Sequence, residues 1–573
     1  MRHPLVRLGL GLGLALAGLL PLTGLATPAG AASHAPIYGA APVPGTGALT
    51  SGYTTLVGSM ACADTGCVLG GYFSDEGGGH VAYVADEFDH VWHSAMAVPG
   101  IARLDRGIGS SVVTSACAPG RNCVVGGYYT DGAGNQQAFV ANERAGHWQN
   151  ASVVPGLNAL NVTGYAGVSQ MSCTGPGDCV AALYYNDAHW QTQAALASET
   201  NGVWAPATPV AGLAALNVAG GAEITALSCP ASGQCTAAGY YTDVNDNQQV
   251  FVVRQVAGRW GPAQALVGLG SLNTKGNATV NGLSCTSASA CVLAGTADTG
   301  FVATETNGVF TPAQPLALDP ANGLTAPSVL QSLACESASE CVVVGVANAD
   351  TRQPVGFAVT ETDGAWTTPQ ALPAPGLASA TTSPASFLTP TAVACPSQTS
   401  CLVTGTYLDG SLTQPFVDQL NVSTWSAAAV PGLAQLAPLG VVIASSALAC
   451  TSSGQCTVSG AYSTKNFVTA PYVANLSGPT LAAEATPTAP RLSVLVAPTG
   501  VVSTVVQATG PGADLVTGYI MYIDGHSMGF VATTMGQAVP YTIQADRGVH
   551  VITVRAVNSS GLGRPARTRI TVR

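Results

Sequence analysis

Sixteen cysteines fall into eight tight pairs, and no other feature constrains the fold of this chain as strongly. The pairs are Cys62 with Cys67, Cys117 with Cys123, Cys173 with Cys179, Cys229 with Cys235, Cys285 with Cys291, Cys335 with Cys341, Cys395 with Cys401 and Cys450 with Cys456. Their first members are 55, 56, 56, 56, 50, 60 and 55 residues apart, which marks an array of similar units. Each pair flanks a Gly/Pro/Ser-rich turn that can bring the two Cβ atoms within disulfide range. Zinc ribbons would need two such pairs together, usually at CxxC spacing. Eight local disulfides are therefore predicted, with no structural metal and no thiol left for nucleophilic chemistry.

One unit shows the plan of the repeat. Val112–Cys117 alternates as a strand, and Ala118-Pro119-Gly120-Arg121 turns it into a second strand, Cys123–Thr130. Asp131–Gly134 turns the chain again into Gln137–Asn142, and Ala145-Gly146 leads to a fourth strand running from His147 to Val154. Four short strands with turn residues between them make an up-and-down antiparallel sheet. Both faces of these strands are apolar or small, so each sheet must be covered on both sides. Face-to-face stacking of the sheets about an axis achieves this and protects their edges. The fold class expected is all-β, an eight-bladed β-propeller.

The last unit supports closure of the ring. Cys456–Asn475 supplies a second and third strand, but no tryptophan or fourth strand follows Ser477-Gly478. The missing piece lies at the other end, where Ile37–Gly45 aligns with Trp148–Gly156. Ile37–Val43 is therefore expected to pair antiparallel with Tyr472–Asn475.

Aromatic residues begin the fourth strands: Trp92, Trp148, Trp204, Trp260, Phe310, Trp366 and Trp425. The turns before them include Glu199-Thr-Asn-Gly-Val-Trp204 and Glu361-Thr-Asp-Gly-Ala-Trp366. These turns resemble the Asp-box of sialidase-like propellers, although the Gly-to-Trp spacing is one residue shorter and the leading serine is absent. In that family the box is a structural turn, so the resemblance implies the fold and no catalytic role.

A second recurrence ends the second strand: Tyr72-Phe-Ser-Asp75, Tyr128-Tyr129-Thr-Asp131, Tyr184-Tyr185-Asn-Asp187 and Tyr240-Tyr241-Thr-Asp243. Alternation puts one aromatic of each pair on either face, so at least one of them packs. Each aspartate can cap its own turn. The alternative is a ring of tyrosines and carboxylates suited to sugar or cation recognition. Tyr129, Asp131, Tyr185, Asp187, Tyr241 and Asp243 are its candidate ligand-binding residues. Asp131–Asn135 and Asp243–Asn247 superficially resemble calcium loops but lack the length and terminal glutamate of an EF-hand, so no metal is expected.

The ends differ from the repeats. Arg2, Arg7, an apolar run from Leu8 to Leu25 and Ala29-Gly30-Ala31 read as a signal peptide over 1–31, implying secretion and no integral membrane segment after cleavage. The propeller is expected over 32–478, followed by a Pro/Ala/Thr-rich linker over 479–490. Over 491–573 the cysteines stop, and Gly518-Tyr519 with the run His550–Gly561 resembles the fibronectin type III family. That resemblance implies a β-sandwich acting as a spacer or adhesive unit.

Residues 33–489 carry 26 acidic against 9 basic side chains, which disfavours nucleic acid as a partner. No nucleophile elbow, phosphate-binding glycine loop or HExxH motif appears, and no cofactor is implied. His147 and His189 are isolated, and the arginines do not recur between repeats. The sequence thus reads as a secreted, non-catalytic binding or scaffold protein, with a polysaccharide or a cell-surface protein as its partner. The alternative is an extracellular carbohydrate-active hydrolase or lyase, since a propeller can gather carboxylates from distant repeats at its axis.

Overall fold

The computed structural model describes residues 39–572 apart from short stretches, the longest being 376–387, 477–487 and 510–515. The leader, Ile37 and most of the linker lie outside the described residues. What is described is all-β, built from β-propeller repeats of four-stranded antiparallel sheets. In the third repeat the strands are Ala166–Gly175, Asp178–Asn186, Thr192–Thr200 and a fourth in two pieces, Val203–Trp204 and Thr208–Pro209.

The division of the fourth strand was not anticipated and has a clear cause. Between its two pieces the backbone bonds to the segment that precedes the repeat. Ala95 N donates to Pro44 O, Ala151 N to Pro99 O, Ala207 N to Pro155 O and Ala263 N to Ala211 O, at 2.7–2.8 Å. A belt of backbone hydrogen bonds therefore joins neighbouring sheets along their outer strands.

The first strand of each sheet is innermost, and these strands lie side by side in sequence order. Thr55–Ala63 neighbours Ser110–Ala118, and so on to Thr389–Ser397 and Val442–Cys450, which in turn neighbours Thr55–Ala63. Most carry a β-bulge at one position, for example between Val168 and Gln170 and between Ile224 and Ala226. A bulge re-aims the extra side chain. Here it points at the next sheet: Ser169 Oγ donates to Ile224 O at 2.8 Å, and Thr225 Oγ1 donates to Val280 O at 2.9 Å. In the first repeat the same position is Gly58, where a Cβ would lie 2.3 Å from Val112 O.

Apolar side chains fill the spaces between sheets, each cluster drawing on two consecutive repeats. Val124, Val140 and Leu157 pack on Val168, Leu183 and Ala197, for example. The links between repeats follow a shared design. Gly45, Gly100, Gly156, Gly212 and Gly432 adopt φ of 75–79°, open to glycine without strain. A single helical turn follows, and its first apolar residue (Ile101, Leu157, Leu213, Leu433) plugs the core.

All eight cysteine pairs are disulfide-bonded across their hairpins, as the spacing predicts. The two halves of each bridge sit in different surroundings. The second cysteines, Cys67, Cys123, Cys179, Cys235, Cys291, Cys341, Cys401 and Cys456, are buried core residues, 2–7 % exposed. The first cysteines, Cys62, Cys117, Cys173, Cys229, Cys285, Cys335, Cys395 and Cys450, are only half-buried. The physical reason is position: each second cysteine begins the second strand, which has a paired strand on either side and a neighbouring sheet over its face. Cys179 thus packs in one cluster with Val168 and Leu183, Cys235 with Ile224 and Phe251, and Cys291 with Val280 and Leu293. Cys67 joins Leu69 and Tyr83, and Cys401 joins Val393 and Val403. The bridges are therefore part of the packing between sheets.

The eighth sheet joins the two ends of the repeat region. Gly39–Pro42 pairs antiparallel with the strand Thr469–Leu476, Gly39 opposite Asn475 and Pro42 opposite Tyr472. Val43 beyond it is buried, and its N–H bonds Pro471 O at 3.1 Å.

Residues 491–572 form two further sheets. One holds Arg491–Val496, Val501–Gln507 and Val539–Gln544; the other centres on Gly518–Ile523 and Gly548–Asn558. Val502, Tyr519, Ile543, Ile552 and Val554 form the core between them. Among the described residues, no helix is long and apolar enough to cross a membrane.

Candidate functional site

The loops between second and third strands are alike in repeats two to four. Asp131 Oδ1 accepts the N–H groups of Ala133 and Asn135, both at 2.9 Å, and Oδ2 accepts from Gln137 Nε2 at 3.2 Å. Asp187 is held in the same way by His189, Gln191 and Gln193, and Asp243 by Asn245, Asn247 and Gln249. Burial alone would raise these carboxyls, but the hydrogen bonds outweigh it and hold all three below the usual carboxylate range. The chain of contacts continues outward: Asn161, Asn217 and Asn273 on the links donate to Gln137, Gln193 and Gln249. These carboxylates organise their own turns.

Tyr129, Tyr185 and Tyr241 lie within the inter-sheet core, 4–7 % exposed. Tyr129 packs with Ile101 and Phe139, Tyr185 with Leu157 and Val168, and Tyr241 with Leu213 and Ile224. They are the packing member of each aromatic pair, and burial raises their phenols.

The other members, Tyr72, Tyr128, Tyr184 and Tyr240, point to the opposite side of their strands, opposite Leu56, Ser111, Gly167 and Glu223 of the first strands. Here side chains from successive repeats converge. Tyr184 lies over Gly167, where a Cβ would meet its hydroxyl at 2.4 Å, and that hydroxyl accepts from Gln136 Nε2 at 2.9 Å. The ring of Tyr165, 47 % exposed, sits 5.3 Å from the ring of Tyr184. Tyr240 Oη donates to Glu223 Oε2 at 3.4 Å, and Tyr72 stacks on His80 at 4.0 Å.

The phenols sense one another. Burial raises Tyr128, Tyr184 and Tyr240, and the charges of neighbours add to it: Tyr72 and Tyr165 at Tyr128, Tyr165 and Glu223 at Tyr184, Glu223 and Tyr165 at Tyr240. Burial also raises the carboxyl of Glu223, against the Tyr240 hydrogen bond. The result is a patch of phenols around the Glu223 carboxyl, with the Gln136 amide at its edge. Tyr165, Gln136 and Glu223 were not singled out from the sequence. For Tyr165 and Glu223 the signal was a departure from the period: the positions equivalent to Tyr165 are Gly109, Gly221 and Asn277, and those equivalent to Glu223 are Ser111, Gly167 and Thr279.

A second polar series lies at the turn between third and fourth strands. Glu87, Glu143, Glu199, Glu305 and Glu361 are buried, each opposite the aromatic that begins the fourth strand. The preceding repeat supplies a partner for several of them. Asn142 donates to Glu199 Oε1 and accepts from Trp204 Nε1, and Arg254 pairs with Glu305 at 2.8 Å. Between the first and second repeats that partner is Asp86, a carboxylate, which binds His93 at 2.9 Å and Arg121 at 3.4 Å. Arg121 also lies over Phe88, 4.2 Å from the ring centre. Glu143 is pushed up to about 7 by burial and by Asp86, with Arg121 opposing. The cavity shared by Asp86, Glu143 and Arg121 is about 10 Å³, room for about one water. A cleft of about 510 Å³ between the fourth and fifth sheets is lined by Arg254, Trp260, Pro262, Val309 and Phe310, and its Arg254 is neutralised by Glu305. Among the described residues, no cluster of His, Cys, Asp and Glu is arranged to hold a metal ion.

No family model and no curated protein matches the chain. Among solved structures, it is similar to the Hadza microbial sialidase Hz136, with 12% identity over 58% of this chain and 68% of that one, TM-score 0.32. It is similar to a polysaccharide lyase of family PL25, an ulvan lyase, with 9% identity over 76% of this chain and 93% of that one, TM-score 0.33. The spore cortex lytic enzyme SleM of Clostridium perfringens matches at 12% identity over 18% of this chain, TM-score 0.14, and the chain spans a third of its length. At these scores no activity is transferred from them.

Proposed function

We propose that the chain is a secreted, non-catalytic binding or scaffold protein that recognises extracellular glycans. In this reading the repeats form an eight-bladed propeller, and residues 491–573 form a fibronectin type III-like sandwich that spaces or displays it. The observation that carries the reading is the convergence of Tyr128, Tyr165, Tyr184 and Tyr240 from consecutive repeats around Gln136 and Glu223. Sugars offer C–H faces that pack on aromatic rings and hydroxyls that need acceptors and donors beside them, and this patch supplies both.

A hydrolase would need two carboxyls facing substrate. Asp86 and Glu143 are the pair whose chemistry fits best, Glu143 as the proton donor, but their cavity admits little more than a water. A glycan and polysaccharide array tests the reading, with Tyr165→Ala and Tyr184→Ala as controls. Selective binding that weakens at least tenfold in both variants supports it. Release of reducing ends from the same panel, lost on Glu143→Gln, overturns the non-catalytic assignment, and absence of any glycan binding overturns the glycan assignment.

A further inference from the structure

We infer that the glycan recognised at the tyrosine patch carries free amines, with an ammonium group seated against Tyr165, Tyr184, Tyr240 and Glu223. The inference rests on the glycan reading above and specifies its chemistry.

Three observations lead to it. First, Glu223 is a partly buried carboxyl that has no Lys or Arg partner among the described residues; its hydrogen bond comes from the neutral Tyr240 hydroxyl at 3.4 Å. Second, the groups around it are phenol rings. Tyr165 and Tyr184 meet at 5.3 Å and 42° as a tilted pair, and the Tyr165 ring is 47 % exposed. Rings arranged about a carboxyl favour a cation, because the electron-rich faces and the carboxylate attract the same positive charge. Third, the repeats carry 26 acidic against 9 basic side chains over 33–489, a field that draws cationic ligands and repels anionic ones.

A neutral sugar would stack on the rings without needing Glu223. An acidic sugar would face a carboxyl already disfavoured by burial. An ammonium restores the missing countercharge and leaves the phenol hydroxyls and Gln136 for the sugar hydroxyls. The position equivalent to Glu223 is serine, glycine or threonine in neighbouring repeats, so the carboxyl is not demanded by the repeat.

The test is calorimetric titration of the full mature chain with a glucosamine oligomer and with its N-acetylated counterpart, at pH 6 where the amine is charged. The expected result is at least tenfold tighter binding of the free-amine oligomer, a preference abolished by Glu223→Gln with no change in melting temperature. Tyr165→Phe should retain the preference and Tyr165→Ala should lose it. Equal binding of the two oligomers, or a Glu223→Gln variant that keeps the preference, overturns the amine inference while leaving glycan recognition intact. Failure of both oligomers to bind while a lysine-rich peptide binds in a Glu223-dependent way overturns the glycan reading instead.

Discussion

Asp418 occupies a position where the other repeats carry alanine or valine: Ala85, Ala141, Ala197, Val253, Ala303, Val359 and Ala474. It is fully buried, neither carboxyl oxygen has a hydrogen-bond partner among the described residues, and burial raises it well above the usual carboxylate range. An unpaired polar group in such a place costs about 1–3 kcal/mol. Asp418→Ala, which restores the repeat's own residue, should therefore raise the melting temperature in scanning calorimetry. A fall would show that the carboxyl does something the packing alone does not reveal. At this scale the sequence was legible only in part. The doubled tyrosines announced that at least one ring of each pair packs, but both faces of the strand are apolar. Nothing local distinguished Tyr128 from Tyr129, and the packing of Tyr129 against the link residue Ile101 decides it. The cysteines behave alike: their spacing announced the bridges, but only the stacked sheets show that Cys123 is buried while Cys117 is not.

The elements were easier to read because each unit repeats the same turn chemistry. Second and third strands fell where the Gly/Pro turns put them, and the cysteines fixed the inner hairpins. The one-turn helices after Gly100, Gly156 and Gly212 and the divided fourth strands were not legible. Both are set by partners a full repeat away, an apolar slot for Leu157 and a carbonyl at Pro155 for Ala207. The N-terminal strand belongs to this scale too. Removing residues 33–48 deletes Gly39–Pro42 and the buried Val43, and it breaks the Ala95-to-Pro44 hydrogen bond. It leaves the Tyr472–Asn475 edge open, and open edges recruit other chains. The truncated protein should melt earlier and scatter light on standing, whereas removing 491–573 should leave melting of the repeats unchanged. Identical melting of the 33–48 deletion and the intact chain would refute the closing role of this strand.

For the whole molecule, the period of the cysteines announced an array of similar four-stranded sheets, and their first strands lie side by side in sequence order. What the period could not show is which side chains meet across repeats, because Glu223 with Tyr165, or Glu143 with Asp86, are brought together only when the sheets stack. One consequence of that stacking is a row of buried carboxyls. Burial raises Glu143, Glu199, Glu305 and Glu361; Arg121, Asn142 with Arg144, and Arg254 oppose it at the first three, and Glu143 reaches about 7. Between the ordinary glutamate value and these raised values the folded chain holds more protons than the unfolded one, so stability falls as pH rises through that window. The lowered carboxyls, Asp131, Asp187 and Asp243, act oppositely, but their contribution is lost only as pH falls below the usual aspartate range. The two groups together place maximum stability on the acid side of neutral. The melting temperature should be higher at pH 5 than at pH 8 by several degrees, and Glu143→Gln should reduce the difference. A melting temperature that instead rises steadily from pH 5 to pH 8 would mean that the buried row is ionised in the folded chain and held by partners strong enough to offset its burial.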